Sequence, residues 1–480
     1  MNALPAATRR VLVVAYNFPP VGGVGILRTL KYVTYLPESG WEPVVLTARD
    51  PGARPWDEAA LRALPPDLQV ERAFSPEPSK LRRGLGDVVR AMRGAAAGGP
   101  ASAVAGADRR ASAVPPISAG STWLRLGALW GDYVRLAFFP DEQVGWVPFA
   151  AARGVHLHRE RSFDAVYSSA GPFSSHLVAA EIARRTGLPW VADFRDPWVG
   201  NAFAPKLPAW QAYVQRRLER AMVARADCVT FVTEGIREQY ARRYPWAGDK
   251  LTWIPNGYDR SDFGPDVLAA IDRRAGSVSA NGSREPAADG KFHLVYAGTV
   301  YGDNELRIFL DGVELLLAGR PELRDRIDIE FVGWLNQHNQ AIAANYATPD
   351  RLAGVVRYSP FVPHAEALLR MVDADALFNV IADEPGKGVI QGGKLAEYVG
   401  LDRQVVAFVP EGEARRFLRE LDWGIVEDPT PEGVAAGLAR ALVTPAPSRP
   451  ADPSGRYDRR NLTRRLAAVL DEVAGLEASA

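Results

Sequence analysis

Residues 11–25 read VLVVAYNFPPVGGVG, and this stretch decides the fold of the first half of the chain. It begins with the continuous apolar run VLVVAY, which is typical of a strand buried on both faces of a parallel sheet. A turn with two prolines and three glycines follows, and then the amphipathic segment ILRTLKYVTYLPESG predicts a helix. Because such a turn places backbone N–H groups and the positive end of a helix dipole at the sheet edge, it predicts a phosphate site.

A second interpretation of the glycine turn stays open. The turn lacks the GxGxxG spacing of dinucleotide-binding proteins and the GK[ST] of nucleoside triphosphatases. Glycines in a strand-to-helix turn also occur where the loop packs the strand tightly against its helix. The turn alone therefore leaves a ligand site and a packing loop as alternatives.

Apolar strands alternate with amphipathic helices along the rest of the chain, which predicts an α/β fold. The first series continues with PVVLTA (43–48), AVYSSA (165–170), WVADF (190–194) and CVTFVT (228–233). A second series starts at FHLVYAG (292–298) and ends at WGIVE (423–427). Two such series predict two doubly wound, Rossmann-like domains.

The domain boundaries follow from where the alternation stops. We predict an N-terminal domain over 1–263 and a second domain over 291–456. Residues 264–290 are rich in Gly, Ala, Ser, Asp and Arg without sustained periodicity, which indicates a linker or surface insertion. Residues 457–480 are predicted to form a C-terminal helix, which could pack back on the N-terminal domain.

Composition agrees with two domains and limits the partners. The 480 residues exceed what one hydrophobic core usually holds. Lys plus Arg number 57 and Asp plus Glu also number 57, so nucleic acid is not indicated as a partner. The single cysteine, Cys228, excludes an internal disulfide and favours a cytoplasmic location. No apolar run reaches the roughly 18 residues of a membrane span, so we expect a soluble or surface-bound chain.

Five segments together resemble glycosyltransferase family 4, whose members are retaining enzymes of the GT-B fold. In chain order they are NFPPVGGVGILRTLKYVTYLPESGWEPVVLTA, PWVADFRDPW, IPNGYD, YAGTVYG and GGKLAEYVGLDRQVVAF. The resemblance covers nearly the whole chain and implies two Rossmann-like domains facing a cleft. It implies transfer of a sugar from a nucleoside diphosphate sugar to an acceptor hydroxyl, without a metal or other cofactor.

The resemblance assigns donor binding to the second domain. Asn256 and Gly257 belong to the segment at the domain junction, although a plain Asn-Gly turn is an alternative. Many relatives carry an arginine and a lysine after the next glycine segment, and Arg307 is the substitute here. The predicted donor-binding residues are Asn256, Gly257, Gly298, Thr299, Arg307, Lys387, Gly388, Lys394 and Glu397.

The segment EPGKGVIQGGKLAEYVG (384–400) carries most of the donor prediction. Family 4 typically has two glutamates with seven residues between them, and the second binds the ribose hydroxyls of the nucleotide. Glu397 holds the second place, whereas Val389 stands where the first glutamate is expected. Lys387 or Lys394 would then compensate the diphosphate charge together with backbone amides. The alternative is a surface acid, Glu397, paired with Lys394 at the i, i+3 spacing.

The first domain is expected to supply the groups around the acceptor. PWVADFRDPWVGN ends a strand with two acids flanking Arg195, and ligands bind at that edge in open α/β sheets. A self-contained ion network is the alternative. By the resemblance, Gly22, Gly23 and Gly25 are predicted catalytic residues. Relatives often have a histidine near the end of this strand that contacts the donor sugar, and this chain has none. Asp193 and Arg195 are therefore also predicted to be catalytic, and which of the two takes that role stays open. The predicted acceptor-side residues are Asp141, Trp146, Asp196 and Trp198.

Two patterns that resemble metal sites have simpler explanations. Asp373 and Asp375 form a DxD in VDADALF, but they stand where a helix meets a strand. His156 and His158 are two ligands at most, and a solvated helix face explains them better. We therefore predict no metal site.

A basic segment bears on the nature of the acceptor. Residues 79–93, SKLRRGLGDVVRAMR, interleave five cations with apolar residues, which suits contact with an anionic membrane surface. Such contact would point to a lipid-linked sugar as acceptor at the inner face of the membrane. A solvated helix, with a sugar or small metabolite as acceptor, is the equal alternative.

The sequence thus predicts a retaining hexosyl or related glycosyltransferase of polysaccharide or glycoconjugate biosynthesis. Its partner is a nucleotide sugar donor. Because Val389 replaces an acid and the phosphate-binding pair is absent, a non-catalytic nucleotide-sugar-binding or scaffold protein of the same fold is an alternative. A sugar-nucleotide epimerase is another.

Overall fold

The computed structural model describes most of the two predicted domains. The described residues are 9–51, 56–78, 138–202, 204, 207–276, 289–300, 302–445 and 449–476. The basic segment 79–93, with its predicted membrane contact, lies outside them. So do residues 277–288 of the predicted linker.

The first sheet contains seven strands in the order β3-β2-β1-β4-β5-β6-β7. The strands are β1 (Arg9–Val14), β2 (Trp41–Ala48), β3 (Gln69–Ala73), β4 (Ala165–Ser169), β5 (Trp190–Phe194), β6 (Cys228–Phe231) and β7 (Leu251–Trp253). The helices of this part are α1 (Val24–Tyr35), α2 (Glu58–Arg62), α3 (Val147–Arg161), α4 (Ser174–Thr186), α5 (Ala209–Arg225) and α6 (Glu234–Arg243).

The second sheet contains six strands in the order β10-β9-β8-β11-β12-β13. They are β8 (Phe292–Ala297), β9 (Ile327–Val332), β10 (Val356–Ser359), β11 (Ala376–Val380), β12 (Gln404–Phe408) and β13 (Ile425–Glu427). The helices are α7 (Pro265–Gly276), α8 (Asp303–Gly319), α9 (Gln337–Tyr346), α10 (His364–Asp373), α11 (Gly393–Gly400), α12 (Glu413–Leu421), α13 (Pro431–Ala441) and α14 (Arg459–Val473).

Both sheets have the strand order of a doubly wound fold. Each begins in the middle, adds its second and third strands on one side and then crosses to the other side. The central strands are buried along their whole length, for example Ala376–Val380 of β11, because helices cover both faces of the sheet. In the second sheet, α7, α10, α11 and α12 contribute to one apolar cluster, and α8, α9 and α13 contribute to another. The predicted fold class is therefore confirmed.

The first part of the predicted linker is a helix of the core. Helix α7 covers Pro265–Gly276, and its Val267, Ala270 and Ile271 are buried against α10 and the second sheet. These three positions follow the i, i+3, i+4 spacing of an amphipathic helix. The prediction of a linker without periodicity is corrected here, because three apolar residues among many small and charged ones suffice to bury one face.

By compactness the chain divides into two units. One comprises the described residues up to Asp193 together with Leu207–Asp227. The other comprises the described residues of 194–206 and those from Cys228 onward. Among the helices that the structure describes, none is long and apolar enough to cross a membrane.

A buried ion pair fixes α1 to the carboxyl end of β5. The Asp193 carboxylate is fully buried and accepts hydrogen bonds from Nε and Nη2 of Arg28, each at 2.9 Å. Tyr167 Oη donates to it at 2.8 Å and Ser169 Oγ at 3.2 Å. Burial disfavours the Arg28 charge, but the Asp193 carboxylate outweighs that effect and holds the pKa of Arg28 above its ordinary value. The pair therefore sets the position of the helix that begins at the glycine turn.

We predict that breaking this pair destabilises the first unit strongly. Arg28→Met or Asp193→Asn should each lower the free energy of unfolding by roughly 3–5 kcal/mol, because the remaining charge stays buried without its partner. Urea unfolding followed by tryptophan fluorescence measures the change. Arg184→Ala is the control, since Arg184 pairs with Glu181 at the surface of α4 and its loss should change little. Equal effects of the buried and the exposed variants would contradict the assignment.

Candidate active site

The glycine turn lies between β1 and α1, as the sequence indicates. Gly23 has a φ of 97°, a conformation that glycine adopts at little cost, and it directly precedes the first residue of α1. Apart from Gly23 and its two neighbours in the chain, no described residue has an atom within 4 Å of the position that a Cβ on Gly23 would take. Its carbonyl accepts a hydrogen bond from Ile26 N at 3.2 Å. The space beside Gly23 is therefore open, which does not favour the packing alternative at that residue, and contact of Gly22, Gly23 and Gly25 with a ligand stays a prediction.

Three of the predicted acceptor-side residues stabilise the protein instead. Trp146 and Trp198 are 0% and 1% exposed, and Trp146 packs edge-on against Tyr16. Asp141 accepts hydrogen bonds from the backbone N and Oγ of Ser174, at 2.9 and 2.5 Å, and so caps the first turn of α4. The prediction of sugar contacts is corrected for these residues, because their side chains are committed to the interior or to a helix end.

Asp193 also has a structural role rather than the predicted catalytic one. Its carboxylate is fully buried and receives four hydrogen bonds from Arg28, Tyr167 and Ser169. The alternative of an ion pair is therefore supported for Asp193, but the cation that binds it comes from a helix elsewhere in the chain rather than from the same motif. Its cation is Arg28 on α1, which lies 165 residues away in sequence.

A small cavity brings together three segments that the sequence assigns to the site. It has a volume of about 160 Å³ and lies within the second compact unit. Arg195 and Asp196 line it from the end of β5, Asn256 lines it after β7, and the glycine-rich loop 386–393 supplies much of the remaining wall. Thr233 and Asn201 also line the cavity, and the sequence analysis missed both.

Gly388 lines a second cavity of about 610 Å³ instead. Most of the charges around this cavity are paired with one another. Arg416 pairs with Glu413 and lies 3.4 Å from Glu234, and Arg419 pairs with Glu411 at 3.0 Å. We regard the smaller cavity as the better candidate, because Arg195, Asp196 and Asn256 line it together with the glycine-rich loop. Lys394 and Glu397 line neither cavity.

Lys394 reaches from α11 to the loop that follows β8. Its Nζ donates to Tyr296 Oη and, at 2.8 Å, to the backbone oxygen of Thr299. The ammonium also lies 3.8 Å from the centre of the Tyr296 ring. Gly298 has a φ of 117°, and a Cβ there would lie 2.6 Å from Lys394 Cε, so the glycine makes room for the lysine. Burial lowers the pKa of Lys394 to about 7, and the Glu397 carboxylate partly opposes that change.

Lys387, the other candidate for the diphosphate, is neutralised by two acids. Its ammonium pairs with Glu305 on α8 and with Glu384 at 3.0 Å. Burial disfavours its charge, but Glu305 and Glu384 outweigh that effect and raise the pKa of Lys387 above its ordinary value. The structure therefore favours Lys394 over Lys387 as the cation for a diphosphate.

Glu397 lies one turn after Lys394 on α11, but the two side chains have different partners. His364 Nε2, at the first residue of α10, lies 2.6 Å from Glu397 Oε1. The Glu397 side chain is 29% exposed, so ligand can still reach it. The alternative of a simple i, i+3 pair between Glu397 and Lys394 therefore does not describe their contacts. Sequence reasoning missed His364, because no spacing links it to Glu397.

Two further donor predictions have less support. Gly257 leaves space for the backbone oxygen of Tyr457, which accepts a hydrogen bond from Tyr258 N at 3.1 Å, so this glycine serves chain packing. Arg307 is exposed on α8, and it does not line either cavity described above. Its contact with phosphate stays a prediction.

The residues that resembled metal sites have ordinary contacts. Asp373 ends α10, and Asp375 accepts a hydrogen bond from His293 N at 2.8 Å. His156 pairs with Glu160 along α3 at 3.2 Å, and His158 Nδ1 accepts from Phe163 N. Within the part of the chain that the structure describes, no group of three or more His, Cys, Asp or Glu could hold a metal ion.

The sequence matches a family model over part of its length. Residues 106–262 match the model of Glycosyltransferase Family 4. The predicted resemblance is thereby confirmed for that third of the chain. A comparison with curated proteins gave no match.

Solved structures extend the likeness to the whole chain. Sucrose-phosphate synthase from Thermosynechococcus elongatus is 14% identical with a TM-score of 0.60, and the alignment covers 97% of this chain and 99% of that one. HepE from Anabaena, in complex with UDP, is 13% identical with a TM-score of 0.59 over 97% and 100%. A trehalose-phosphate synthase (UDP-forming) from Burkholderia xenovorans, in complex with glucose-6-phosphate, is 13% identical with a TM-score of 0.57 over 97% and 99%. At these identities the likeness shows the fold, which is GT-B.

We predict that nucleotide binding by this protein weakens above neutral pH. A diphosphate beside Lys394 favours its charged form, so binding takes up a proton once the solution pH exceeds the unbound pKa of about 7. The Kd for UDP, or for the best-binding nucleoside diphosphate, should then rise by up to about tenfold per pH unit between pH 7 and 8.5. Isothermal titration calorimetry in two buffers of different ionisation enthalpy measures both Kd and proton uptake.

Lys394→Met is the control for this experiment. It should bind more weakly at pH 7, and its Kd should follow only the titration of the nucleotide itself. The same proton uptake in wild type and variant would show that another group is responsible.

Proposed function

We propose that the chain is a retaining glycosyltransferase that transfers a sugar from a nucleoside diphosphate sugar to an acceptor hydroxyl. The observation that carries this proposal is the pair of side chains on one face of α11. Lys394 is fixed beside the loop after β8, and Glu397 follows one turn later, held by His364. This arrangement suits a nucleotide, because a cation for the diphosphate and a carboxylate for the ribose hydroxyls are needed a few ångströms apart.

The start of α11 adds to the same anion site. The helix begins at Gly393, and its N-cap, Gly392, has no side chain that could cap the first-turn N–H groups. Such N–H groups and the helix dipole stabilise phosphate. Two of the structurally similar proteins support this reading, since one was solved with UDP and another is a UDP-forming synthase.

The proposed chemistry needs little from the protein beyond positioning. The bond between the sugar's anomeric carbon and the diphosphate oxygen breaks, and a bond from the same face to the acceptor oxygen forms. The acceptor's proton goes to the departing diphosphate oxygen. Lys394 and the backbone N–H groups stabilise the negative charge that develops on that oxygen, which is the electrostatic contribution expected of such a site.

The finer features of the proposal concern metal, acceptor and location. We propose that no divalent metal is required, because Lys394 and the helix N–H groups supply the positive field. We propose a hexose-type donor sugar and a sugar acceptor. The glucose-6-phosphate bound to the similar trehalose-phosphate synthase supports a sugar acceptor. A role in polysaccharide or glycoconjugate synthesis in the cytoplasm completes the proposal.

A panel assay tests the function directly. Purified protein is screened against nucleotide sugars by thermal shift, and each stabilising donor is then incubated with sugar and sugar-phosphate acceptors. We expect a glycosidic product with retained anomeric configuration, and we expect turnover to persist in excess EDTA. An epimerised nucleotide sugar, or binding without any product, would instead support one of the two alternatives. Full loss of turnover in EDTA, restored by Mg²⁺ or Mn²⁺, would contradict metal independence.

We predict that Glu397→Gln weakens nucleotide binding through the ribose. Loss of a charge-assisted hydrogen bond should cost roughly 1.5–3 kcal/mol of binding free energy, measured by calorimetry with the nucleoside diphosphate. The 2′-deoxy nucleotide should bind wild type and variant with more similar affinities, since it lacks one hydroxyl. Glu366→Gln on α10 is the control, because Glu366 pairs with Arg370 and has no assigned ligand contact. Unchanged affinity in a folded Glu397→Gln protein would overturn the assignment.

A further inference from the structure

A buried side-chain amide beside the smaller cavity lacks a hydrogen-bond partner. Gln391 is 7% exposed, and no acceptor in the described part of the chain lies within hydrogen-bonding distance of its Nε2. An amide N–H buried without an acceptor destabilises the folded protein. Most buried polar groups in proteins have a hydrogen-bond partner, so this amide calls for an explanation, and its place beside a cavity points to a ligand.

The surroundings of Gln391 suit a small polar ligand. Gln391 lines the 160 Å³ cavity together with Arg195, Asp196 and Asn256. A cavity of this size is below the roughly 300–1,000 Å³ of pockets that enclose whole drug-sized ligands, so it fits one ring rather than a complete nucleotide sugar. Neutral amides, a carboxylate and a guanidinium together can donate to and accept from hydroxyl groups.

Gln391, and not Val389, is the residue of this loop whose side chain can form a hydrogen bond with a ligand hydroxyl. Val389 ends a short 3-10 turn, Lys387–Val389, and its carbonyl accepts a hydrogen bond from Thr233 Oγ1 at 2.9 Å. Its apolar side chain has nothing to offer a hydroxyl. Gln391 follows two residues later on the same loop and directly precedes the glycines that begin α11.

We propose that Gln391 determines donor specificity by donating a hydrogen bond from its amide to a hydroxyl of the transferred sugar. This proposal rests on the proposed function, and it identifies Gln391 as the residue that recognises the donor sugar. A phosphate oxygen could also accept from the amide, but the cations and helix N–H groups assigned to the diphosphate lie at Lys394 and Gly393. The neutral amide of Gln391 thus matches a neutral hydroxyl.

The test compares a nucleotide sugar with its nucleoside diphosphate. In Gln391→Met we expect the affinity for the best-binding nucleotide sugar to fall about tenfold, the effect of losing one hydrogen bond. The affinity for the corresponding nucleoside diphosphate should change by less than about twofold. Such a change is smaller than the effect of losing one hydrogen bond. Gln391→Ala, which removes the amide and enlarges the cavity, should show the same selectivity. Equal weakening of both ligands would place the contact on the phosphate and overturn the proposal.

Thermal stability of the ligand-free protein provides an independent readout. Gln391→Met removes an unpartnered buried amide, so its Tm should be equal to or higher than that of the wild type. A lower Tm with unchanged affinity for the nucleotide sugar would show a structural role and overturn the proposal. Gln340→Met is the matched control, because the Gln340 amide already donates to Leu335 O at 2.9 Å on an exposed helix and its loss should leave both affinities unchanged.

A third measurement identifies the hydroxyl. Deoxy analogues of the donor sugar are compared on wild type and Gln391→Met, and one analogue should lose affinity on the wild type only. If every analogue loses equally on both proteins, Gln391 does not contact the sugar. A wild type that binds no nucleotide sugar at all would overturn the proposed function and this inference with it, whereas binding that the variants leave unaffected would overturn this inference alone.

Discussion

A buried carboxylate in the first unit must have its charge balanced, and this requirement organises the structure around it. Asp193 ends β5 inside the protein, where an unpaired charge would be very costly. Arg28 therefore has to be brought in from α1, and hydroxyl groups of β4 complete the set of donors. Because α1 begins at the glycine turn, the same ion pair fixes where that turn lies relative to the sheet. A residue that the sequence predicts to be catalytic thus holds the glycine turn in place.

In the second unit, glycines position the candidate site, because their lack of a side chain lets other side chains and backbone N–H groups come close together. Gly298 makes room for the stem of Lys394, and Gly392 and Gly393 begin α11 without side chains. The lysine and the helix N–H groups then lie at the start of a short helix, and Glu397 lies near its middle. The polar groups that we propose to bind a nucleotide therefore depend on positions where side chains are missing. This explains why the most informative segment of the sequence is also one of its richest in glycine.

The sequence predicted the fold well, because buried parallel strands are nearly continuous apolar runs that need no long-range information to recognise. It missed β3, whose QVERA has a polar character, and β7, which has only three residues. It missed α7 because only three residues of that helix form its buried apolar face. Edge strands and thin stripes gain stability from neighbours that a local pattern does not show.

The candidate site was harder to predict, because a residue's role depends on partners far away in the chain. Asp193 and Trp198 belong to a motif that indicates a ligand site. In the structure, however, Asp193 binds Arg28, and the Trp198 side chain is buried in the interior. The sequence does not distinguish Lys387 from Lys394 as the cation for a diphosphate. The structure does, because Glu305 on α8 and Glu384 both pair with Lys387. His364 had no signal at all, since its relation to Glu397 exists only after folding.

The position of α7 has a practical consequence for dividing the chain into expressible halves. A cut made directly after Gly276 keeps α7 attached to the preceding residues and removes it from the sheet that it covers. The second half would then present an uncovered apolar strip where Val267, Ala270 and Ile271 had packed. Exposed strips of this kind promote self-association. A second-half fragment that starts before Pro265 retains its own cover.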